Sequence, residues 1–387
     1  MVSYKASLLK LFYALTLLFL TIYSYSQIDL NLTLSSNPLY QNFQKQLIYL
    51  GYYNRPISVF IFAFILFLLF INYYLIYQFI KKQLMTMNDL IHLIIITVLI
   101  LLFSYPAFSY DIFNYIFDAR ILVKYGLNPY QFKALDFPAD HWIRFMHWTH
   151  RTYPYGPVWI ILTMIPYILG IGKFVLTLIN FRIFFIATYL INIYLLNKIL
   201  KALRFTTNNR LLNLVLFAFN PLIIIETLVS PHNESLMLSG ILLAIYYYVG
   251  QKSKSSYTSL LLSGGIKFLS WVAVPIFFIA RRQKWQLGKF MKWVFYTQLI
   301  ILVPVIYLRE IYPWYFITII GLGALIGNSK LISYLILGFS LGPLLRYLPF
   351  IFFGDYNSGT QIWQLYLTFL PFLALGIIYL RDKIKLT

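Results

Sequence analysis

Long apolar segments alternate with short polar ones along almost the whole chain. Segments such as 57–71 and 93–103 contain no charged residue, and each lies within an apolar stretch of about 20 residues, enough to cross a bilayer core of about 30 Å. A backbone at that depth must be helical or form a closed barrel, and unbroken apolar runs favour helices. The pattern therefore predicts an all-α polytopic membrane protein with about 12 transmembrane helices. The predicted spans are 7–25, 57–79, 88–106, 178–199, 210–229, 235–250, 256–266, 268–280, 287–307, 312–328, 331–352 and 361–380.

Composition agrees with that pattern. Of 387 residues, 60% are hydrophobic and 11% are charged, which is far more apolar than a soluble domain. The net charge of +20 comes from Lys and Arg scattered between apolar segments, so we expect membrane lipid and no nucleic acid as a partner. Cysteine is absent, which excludes disulfides and thiol catalysis.

The distribution of basic residues orients the predicted helices, because cytoplasmic loops carry an excess of Lys and Arg. Both termini are then predicted to be cytoplasmic. Segment 157–169 is short, contains Pro166 and ends at Gly170, so we expect an interfacial helix on the outer side. Segment 256–280 is predicted to form two half-spans that meet at Lys267 on the outer side, a break tolerated only beside a cavity. The residues assigned to the cytoplasm are Lys81, Lys82, Lys198, Lys201, Arg204, Arg210, Lys252, Lys254, Arg281, Arg282, Lys284, Arg381, Lys383 and Lys385.

The most informative segment is the long outer loop at residues 107–156, which is too aromatic to be disordered. Asp111 and Asp118 are seven residues apart, so two helical turns would place both carboxylates on one face. The pair Asn128-Pro129 is predicted to end that helix. A carboxylate here could accept a proton from a sugar hydroxyl. The alternative is a helix cap or a loop acid paired with Arg120.

Two further clusters carry candidate chemistry. Pro231-His232-Asn233-Glu234 forms a tight outer turn with Glu226 about one turn below it; ionisable groups at that depth indicate function, although a plain polar turn is possible. In Gly264-Gly265-Ile266-Lys267, the small residues allow close backbone approach and the ammonium could bind a lipid phosphate. The other candidate phosphate ligands are Arg144, Arg151 and Arg309, each of which could equally be a snorkelling anchor.

A metal site can be drawn from the loop histidines and acids, which are His141, His147, His150, Asp136 and Asp140. The His147/His150 pair lacks a third ligand at fixed spacing, so we expect no metal and no cofactor, with a divalent metal as the alternative. No P-loop, dinucleotide fingerprint or nucleophile elbow is present, which argues against soluble-nucleotide chemistry.

Several of these segments, taken in order, resemble the polyprenyl-phosphate-dependent glycosyltransferases of the GT-C superfamily, in particular bacterial α-mannosyltransferases that use polyprenyl phosphomannose. The segments are Asp111–Tyr130, Tyr153–Trp159, Asn220–Met237 and Gly265-Ile266-Lys267. The resemblance implies three regions. These are N-terminal transmembrane helices at 1–87, a GT-C module at 88–280 with an extracytoplasmic catalytic loop at 107–177, and C-terminal transmembrane helices at 281–387.

This resemblance implies an inverting transfer of a hexose, with mannose as the expected sugar, from a polyprenyl phosphate to a glycan or lipid acceptor. The expected location is a bacterial plasma membrane, with the active site outside the cytoplasm. Asp111 and Asp118 would be the catalytic acids, and Lys267 with the arginines would bind the donor phosphate. The sugar- or acceptor-binding residues would be His232, Asn233, Glu234, Glu226, Tyr153, Tyr155 and Trp159. Two departures stand out: Phe113 replaces a second Asp that many relatives carry, and Glu234 stands where Asp is frequent.

A transporter or flippase of lipid-linked sugars and a non-catalytic polyprenyl-lipid binder are the alternatives. Transporters concentrate polar residues near the membrane midplane on paired broken helices and often contain repeats. This chain shows one broken pair, no repeat, and acids at the outer rim, which favours an enzyme.

Overall fold

The computed structural model describes residues 2–308, 310–327 and 329–384. Within these ranges the chain is helical, and its only extended pairing is an isolated bridge between Lys133 and Thr152, which confirms the all-α class. The α-helices are α1 Val2–Ser24, α2 Pro38–Ile48, α3 Arg55–Lys81, α4 Met87–Leu101, α5 Asp111–Tyr125, α6 Pro157–Ile168, α7 Phe174–Ala202, α8 Thr207–Ala218, α9 Pro221–Val229, α10 Glu234–Val249, α11 Ser253–Gly264, α12 Val274–Arg282, α13 Leu287–Leu308, α14 Phe316–Ile326, α15 Lys330–Leu345, α16 Tyr347–Phe353 and α17 Ser358–Ile384.

Six helical segments in the described ranges are long and apolar enough to cross a membrane, or seven if a bent pair counts as one span. They are Tyr4–Gln27, Arg55–Lys81, Phe174–Ala202, Leu287–Leu308, Lys330–Phe353 and Gly359–Asp382. Shorter apolar helices occupy Met87–Leu101, Pro157–Ile168, Glu234–Val249 and Pro313–Ile326, where the sequence predicted further spans or an interfacial helix. These helices indicate a membrane protein, and the count of about 12 spans stays a prediction.

The bent pair is α8 and α9, which meet at 47°. Pro221 has no N–H to continue the helix, and the Asn220 side chain accepts a hydrogen bond from the N–H of Leu222 at 2.9 Å to start the next segment. The turns that follow, Ile224–Val229, have π-helical hydrogen bonding. Such irregular turns are frequent at functional sites, and this one carries Glu226.

The helical structure is interrupted around Lys267, where the sequence predicts that two half-spans meet on the outer side. That pair of half-spans stays a prediction. Helix α11 ends at Gly264, and a 3-10 helix, Phe268–Ala273, leads into α12. Segment Pro157–Ile168 is helical as well, while its position at the membrane interface remains a prediction.

Helix α5 carries both candidate acids and is held against the body of the protein by an apolar cluster. Phe113, Tyr115 and Trp159 pack with Phe181 and Phe185, so that α5 and α6 rest on α7. The expectation that Asn128-Pro129 ends this helix is wrong. The helix already ends at Tyr125, because Gly126 adopts a left-handed conformation with φ of 66° and closes it.

Candidate active site

The outer loop docks onto the broken span through a contact between two glycines. The N–H of Gly156 donates to the carbonyl of Ile266 at 3.0 Å, and the N–H of Val158 donates to the carbonyl of Gly265 at 2.9 Å. A Cβ at position 156 would lie 2.1 Å from the Gly265 carbonyl oxygen, so only glycine permits this approach. The Gly265 backbone therefore lies directly against that of Gly156. This contact holds the outer loop next to the Lys267 turn.

Asp111, the first residue of α5, lies where the predicted clusters meet. Its Oδ2 is 3.4 Å from the Tyr115 hydroxyl and 3.5 Å from the Tyr155 hydroxyl, and both hydroxyls donate to it. The same oxygen is 3.9 Å from His232 Nε2. The Asp111 side chain is 13% exposed, which leaves it reachable by a substrate, whereas Tyr115 and His232 are buried.

A buried row of polar groups continues behind Asp111. His232 Nδ1 lies 3.1 Å from Glu226 Oε2, and both side chains are fully buried. Glu226 Oε1 in turn accepts a hydrogen bond from the Tyr347 hydroxyl at 2.8 Å. Burial alone would lower the pKa of His232, but the Glu226 carboxylate, with Asp111 and Glu234 further away, raises it above the usual value. The imidazolium form is therefore favoured next to Asp111.

Lys267 forms an ion pair with Glu234. The Glu234 side chain is 1% exposed and the Lys267 side chain is 27% exposed, so the carboxylate fixes the ammonium while part of it stays accessible. The Lys267 Nζ also lies 5.3 Å from the Tyr315 ring centroid and 6.0 Å from that of Tyr155. An anion entering between these tyrosines would meet a positioned positive charge.

Asp118 lies deeper on the same helix, and its environment differs from that of Asp111. Burial raises the pKa of Asp118 to about 8; the Arg151 charge opposes this shift and the Asp111 charge adds to it. The carboxyl is thus mostly protonated at pH 7, which suits it to donate a hydrogen bond rather than to act as a base.

The alternative, in which the candidate carboxylate of Asp111 or Asp118 pairs with Arg120, is wrong. Arg120 instead binds Asp140, with Nε to Oδ2 at 2.6 Å and a second hydrogen bond at 3.1 Å. Asp140 also accepts hydrogen bonds from Lys124 and Tyr125. Burial would raise the pKa of Asp140, but these hydrogen bonds outweigh it and lower the pKa well below the usual range. This cluster fastens the loop to α5 and stands apart from the site.

The three arginines predicted as further phosphate ligands differ in their surroundings. Arg151 is half-buried and its charge acts on Asp118 and Tyr155. Arg144 is exposed beside the Phe145 ring, 4.9 Å from its centroid, and no contact joins it to Lys267. Arg309 lies outside the described residues.

Of the seven residues expected to bind the sugar or acceptor, six are buried and Tyr155 is half-buried. The buried six are Trp159, Tyr153, His232, Asn233, Glu234 and Glu226. Trp159 is fully buried, with its ring edge-on to Tyr115 at 4.9 Å, so neither ring face can lie against a sugar. Tyr153 is also buried, and its hydroxyl donates to the Gly156 carbonyl at 2.8 Å. His232 is closed off as well, so it can act on a substrate only through Asp111. In each case the residue lies on an inward-facing side of its segment.

Several buried polar atoms near the site have no hydrogen-bond partner among the described residues. They are Thr227 Oγ1, both amide atoms of Asn233, Glu234 Oε2, Glu226 Oε2 and both ring nitrogens of His232. Buried polar groups are normally satisfied, so a cluster of exceptions indicates a place where function has taken precedence over packing.

The loop histidines and acids do not form a metal centre in the ranges that the structure covers. His147 Nε2 lies 2.9 Å from Asp29 Oδ2, and Asp136 accepts a hydrogen bond from the N–H of Lys133 at 2.9 Å. No group of three His, Asp or Glu side chains there is placed to hold a metal ion.

Sequence reasoning missed Arg182, which ties together the segments that lead to Asp111 and to His232. It is buried in α7 and donates to the carbonyls of Leu101, Leu102, Leu228 and Val229. The first two precede the loop that reaches Asp111, and the other two precede His232. The available signal was a charge within the apolar part of a 29-residue helix whose other charges, Lys198 and Lys201, lie near its C-terminal end. A charge at that depth is costly and indicates a function.

The C-terminal part of the chain also contributes, which the sequence did not indicate. Tyr347 reaches Glu226, and the Trp314 ring stacks on His232 with centroids 4.0 Å apart. Aromatic residues beside a span are common membrane-interface anchors, so neither residue carried a distinguishing pattern.

Comparison with known proteins gives one match. The family model described as the MptA/B family, alpha-(1->6)-mannopyranosyltransferase, N-terminal domain, matches residues 18–282. No curated protein matches the chain, and no solved structure matches it. The matched range contains Asp111, Glu226, His232, Glu234 and Lys267, the residues that meet at the site. The chain belongs to this family of alpha-mannosyltransferases, and the protein is accordingly a glycosyltransferase.

Proposed function

We propose that the protein transfers mannose from a polyprenyl phosphate to a glycan or lipid acceptor, with inversion at the anomeric carbon. The observation that carries this proposal is that a partly exposed carboxylate, Asp111, and the partly exposed Lys267 side chain both lie next to Tyr155. A base and a phosphate-binding cation are the two groups that such a transfer requires.

The proposed reaction is a direct displacement. The acceptor hydroxyl gives its proton to Asp111 as its oxygen attacks the anomeric carbon of the mannose. The bond from that carbon to the phosphate oxygen breaks, and its electron pair leaves with the phosphate. Lys267 stabilises the negative charge on the phosphate, and Arg151 adds positive charge nearby. Fixed charges of this kind are worth more than mobile ones because they need no reorganisation.

Buried neighbours set the behaviour of the two reacting groups. His232, next to Glu226, places its Nε2 3.9 Å from Asp111 Oδ2 and so orients that carboxylate. Glu234 does the same for Lys267. Protonated Asp118 would donate a hydrogen bond to a sugar oxygen, and Tyr155, which is half-buried, can contact a sugar face.

An apolar groove supports a lipid-linked donor. It has a volume of about 590 Å³ and lies between α3, α8 and α15. Its lining is apolar except for Ser333 and the hydroxyls of three tyrosines. The groove reaches Leu345, two residues before Tyr347, which contacts Glu226. A polyprenyl chain lying there would bring its phosphate to the site from the bilayer.

The distribution of basic residues along the chain supports a location for the active site. We propose that both termini lie in the cytoplasm, where basic loops are expected, and that the Asp111 loop lies on the outer side of a bacterial plasma membrane. Nucleotide sugars are not supplied on that side, whereas polyprenyl phosphosugars are lipid-bound and can be presented there.

The groove can be tested by filling it. Leu341, which lines the groove, is changed to Trp, and Leu373→Trp on α17, 66% exposed, is the matched control. We expect Leu341→Trp to raise KM for a long-chain polyprenyl phosphomannose by about tenfold, with little effect on a short-chain donor. If Leu341→Trp has the same KM as the wild type for the long-chain donor as well as for the short-chain donor, the groove does not bind the polyprenyl chain.

A further inference from the structure

A short aromatic turn from the C-terminal part of the chain lies against the buried histidine. This turn, Pro313–Tyr315, is outside the range that the family model matches, residues 18–282. The Trp314 indole stacks on the His232 imidazole with centroids 4.0 Å apart and planes 16° apart. Tyr312 stacks in turn on Trp314, with centroids 4.5 Å apart and planes 4° apart.

The contacts of His232 divide into two sets with different effects. Glu226 lies 3.1 Å from Nδ1 and Asp111 lies 3.9 Å from Nε2, so the carboxylates attract the two nitrogens. These attractions leave the ring able to tilt about its Cβ–Cγ bond, because that torsion is broad. A flat ring stacked on the imidazole face opposes the tilt.

Stacking also affects the charge of the imidazole. An aromatic face attracts a cation near its centroid, so Trp314 favours the imidazolium over the neutral ring. Tyr312 supports the indole from its own stacked position. Both side chains are only half-buried, which means that either can be changed without opening a core cavity.

We propose that Trp314 is a positioning residue of the active site, holding the plane and charge of His232 so that Nε2 faces Asp111. The C-terminal part of the chain therefore completes a site whose reacting groups all come from the matched range. This inference rests on the proposed function, since it assigns Trp314 a role in presenting the base.

The proposal is tested with Trp314→Leu, which removes the stack, and Trp314→Phe, which keeps it. Trp363→Leu on α17, 55% exposed, is the matched control. We expect Trp314→Leu to lower kcat by about 10- to 100-fold with KM unchanged, as misplacement of a reacting group does. The kcat of Trp314→Phe should stay within about threefold of the wild-type value. The kcat of Trp363→Leu should equal the wild-type value.

The pH profile and a double variant separate positioning from a general structural effect. Loss of the stack removes stabilisation of the imidazolium, so the alkaline limb of kcat should move to lower pH by about half to one unit in Trp314→Leu. In a His232→Gln background, Trp314→Leu should cost nothing further, because the residue it positions is gone. An equal loss in both backgrounds, or a raised KM with unchanged kcat, would overturn the proposal.

A readout that does not need transfer keeps the two proposals distinguishable. The five histidines can be labelled with ¹⁵N and titrated by NMR, with His232 assigned from its absence in His232→Gln. We expect a lower imidazole pKa in Trp314→Leu than in wild type or Trp314→Phe. Unchanged titration would refute the role of Trp314, whereas lack of transfer by the wild type would count against the proposed function alone.

Discussion

The contact between Gly156 and Gly265 gives a prediction with a magnitude that follows from the structure. Changing Gly156 to Ala places a Cβ 2.1 Å from the Gly265 carbonyl oxygen and 2.6 Å from its carbonyl carbon. Ordinary contact begins at 3.4 Å, so the loop must move by about 1 Å, a shift that backbone on both sides resists.

That shift weakens the two hydrogen bonds that join the segments, Gly156 to Ile266 and Val158 to Gly265. Each is worth about 1 kcal/mol net, so we expect a loss of about 2 kcal/mol in the free energy of unfolding. Activity should fall further, by about 100-fold, because Tyr155 moves with the loop and a 1 Å displacement at an active site has effects of that size.

The assay pairs transfer kinetics with thermal unfolding in nanodiscs. Gly376→Ala is the control, because this helical glycine in α17 has no atom within 4 Å of an added Cβ. It should leave activity unchanged and stability equal or slightly higher. If Gly156→Ala matches wild type in both rate and unfolding temperature, the docking contact does not position the site.

Three further predictions follow from the charged groups. The pKa of Asp118 is about 8 in the fold against 3.8 unfolded. Between these two values the folded state holds one proton that the unfolded state has lost, so the free energy of unfolding of the wild type should fall by about 1.4 kcal/mol for each unit that the pH rises. Asp118→Asn should lack this dependence, and a constant difference in unfolding temperature from pH 5 to pH 8 would contradict the assignment. Lys267→Met should lower kcat by about 10²–10³-fold, and it leaves the buried Glu234 carboxylate without its ion-pair partner. A change in KM with kcat unchanged would argue against a role of Lys267 at the leaving group. Arg182→Met should cost about 3–5 kcal/mol and Arg182→Lys less, as measured by unfolding in urea, and equal stability of wild type and Arg182→Met would show that the carbonyl contacts are dispensable.

The sequence was informative where one physical requirement dominates. Apolar runs with no charge can only be helices in a bilayer, so the all-α class followed directly. Asp111 was selected as a candidate because a carboxylate at the end of a long apolar run, where burying a charge is costly, indicates a functional site. Lys267 was selected because it interrupts an otherwise apolar segment beside two glycines. The catalytic roles of both stay predictions.

Pairings between distant segments could not be read from the sequence. The link from Asp111 to His232 spans more than a hundred residues and exists because Arg182 and the Gly156 contact fix both segments. The role of Trp314 depends on which ring face it covers, which no spacing encodes. Trp159 shows the opposite error: an aromatic residue beside a predicted site faced the core, because helix α6 packs that side on α7.

The most direct test of the account is mannose transfer from polyprenyl phosphomannose by purified wild-type protein and by Asp111→Asn. Donor binding is measured on the same samples, so that a loss of transfer can be separated from a loss of folding. The account predicts transfer by wild type and a loss of at least about 10²-fold in Asp111→Asn with donor binding intact. Transfer that survives Asp111→Asn would contradict the account, because the base would then be another group.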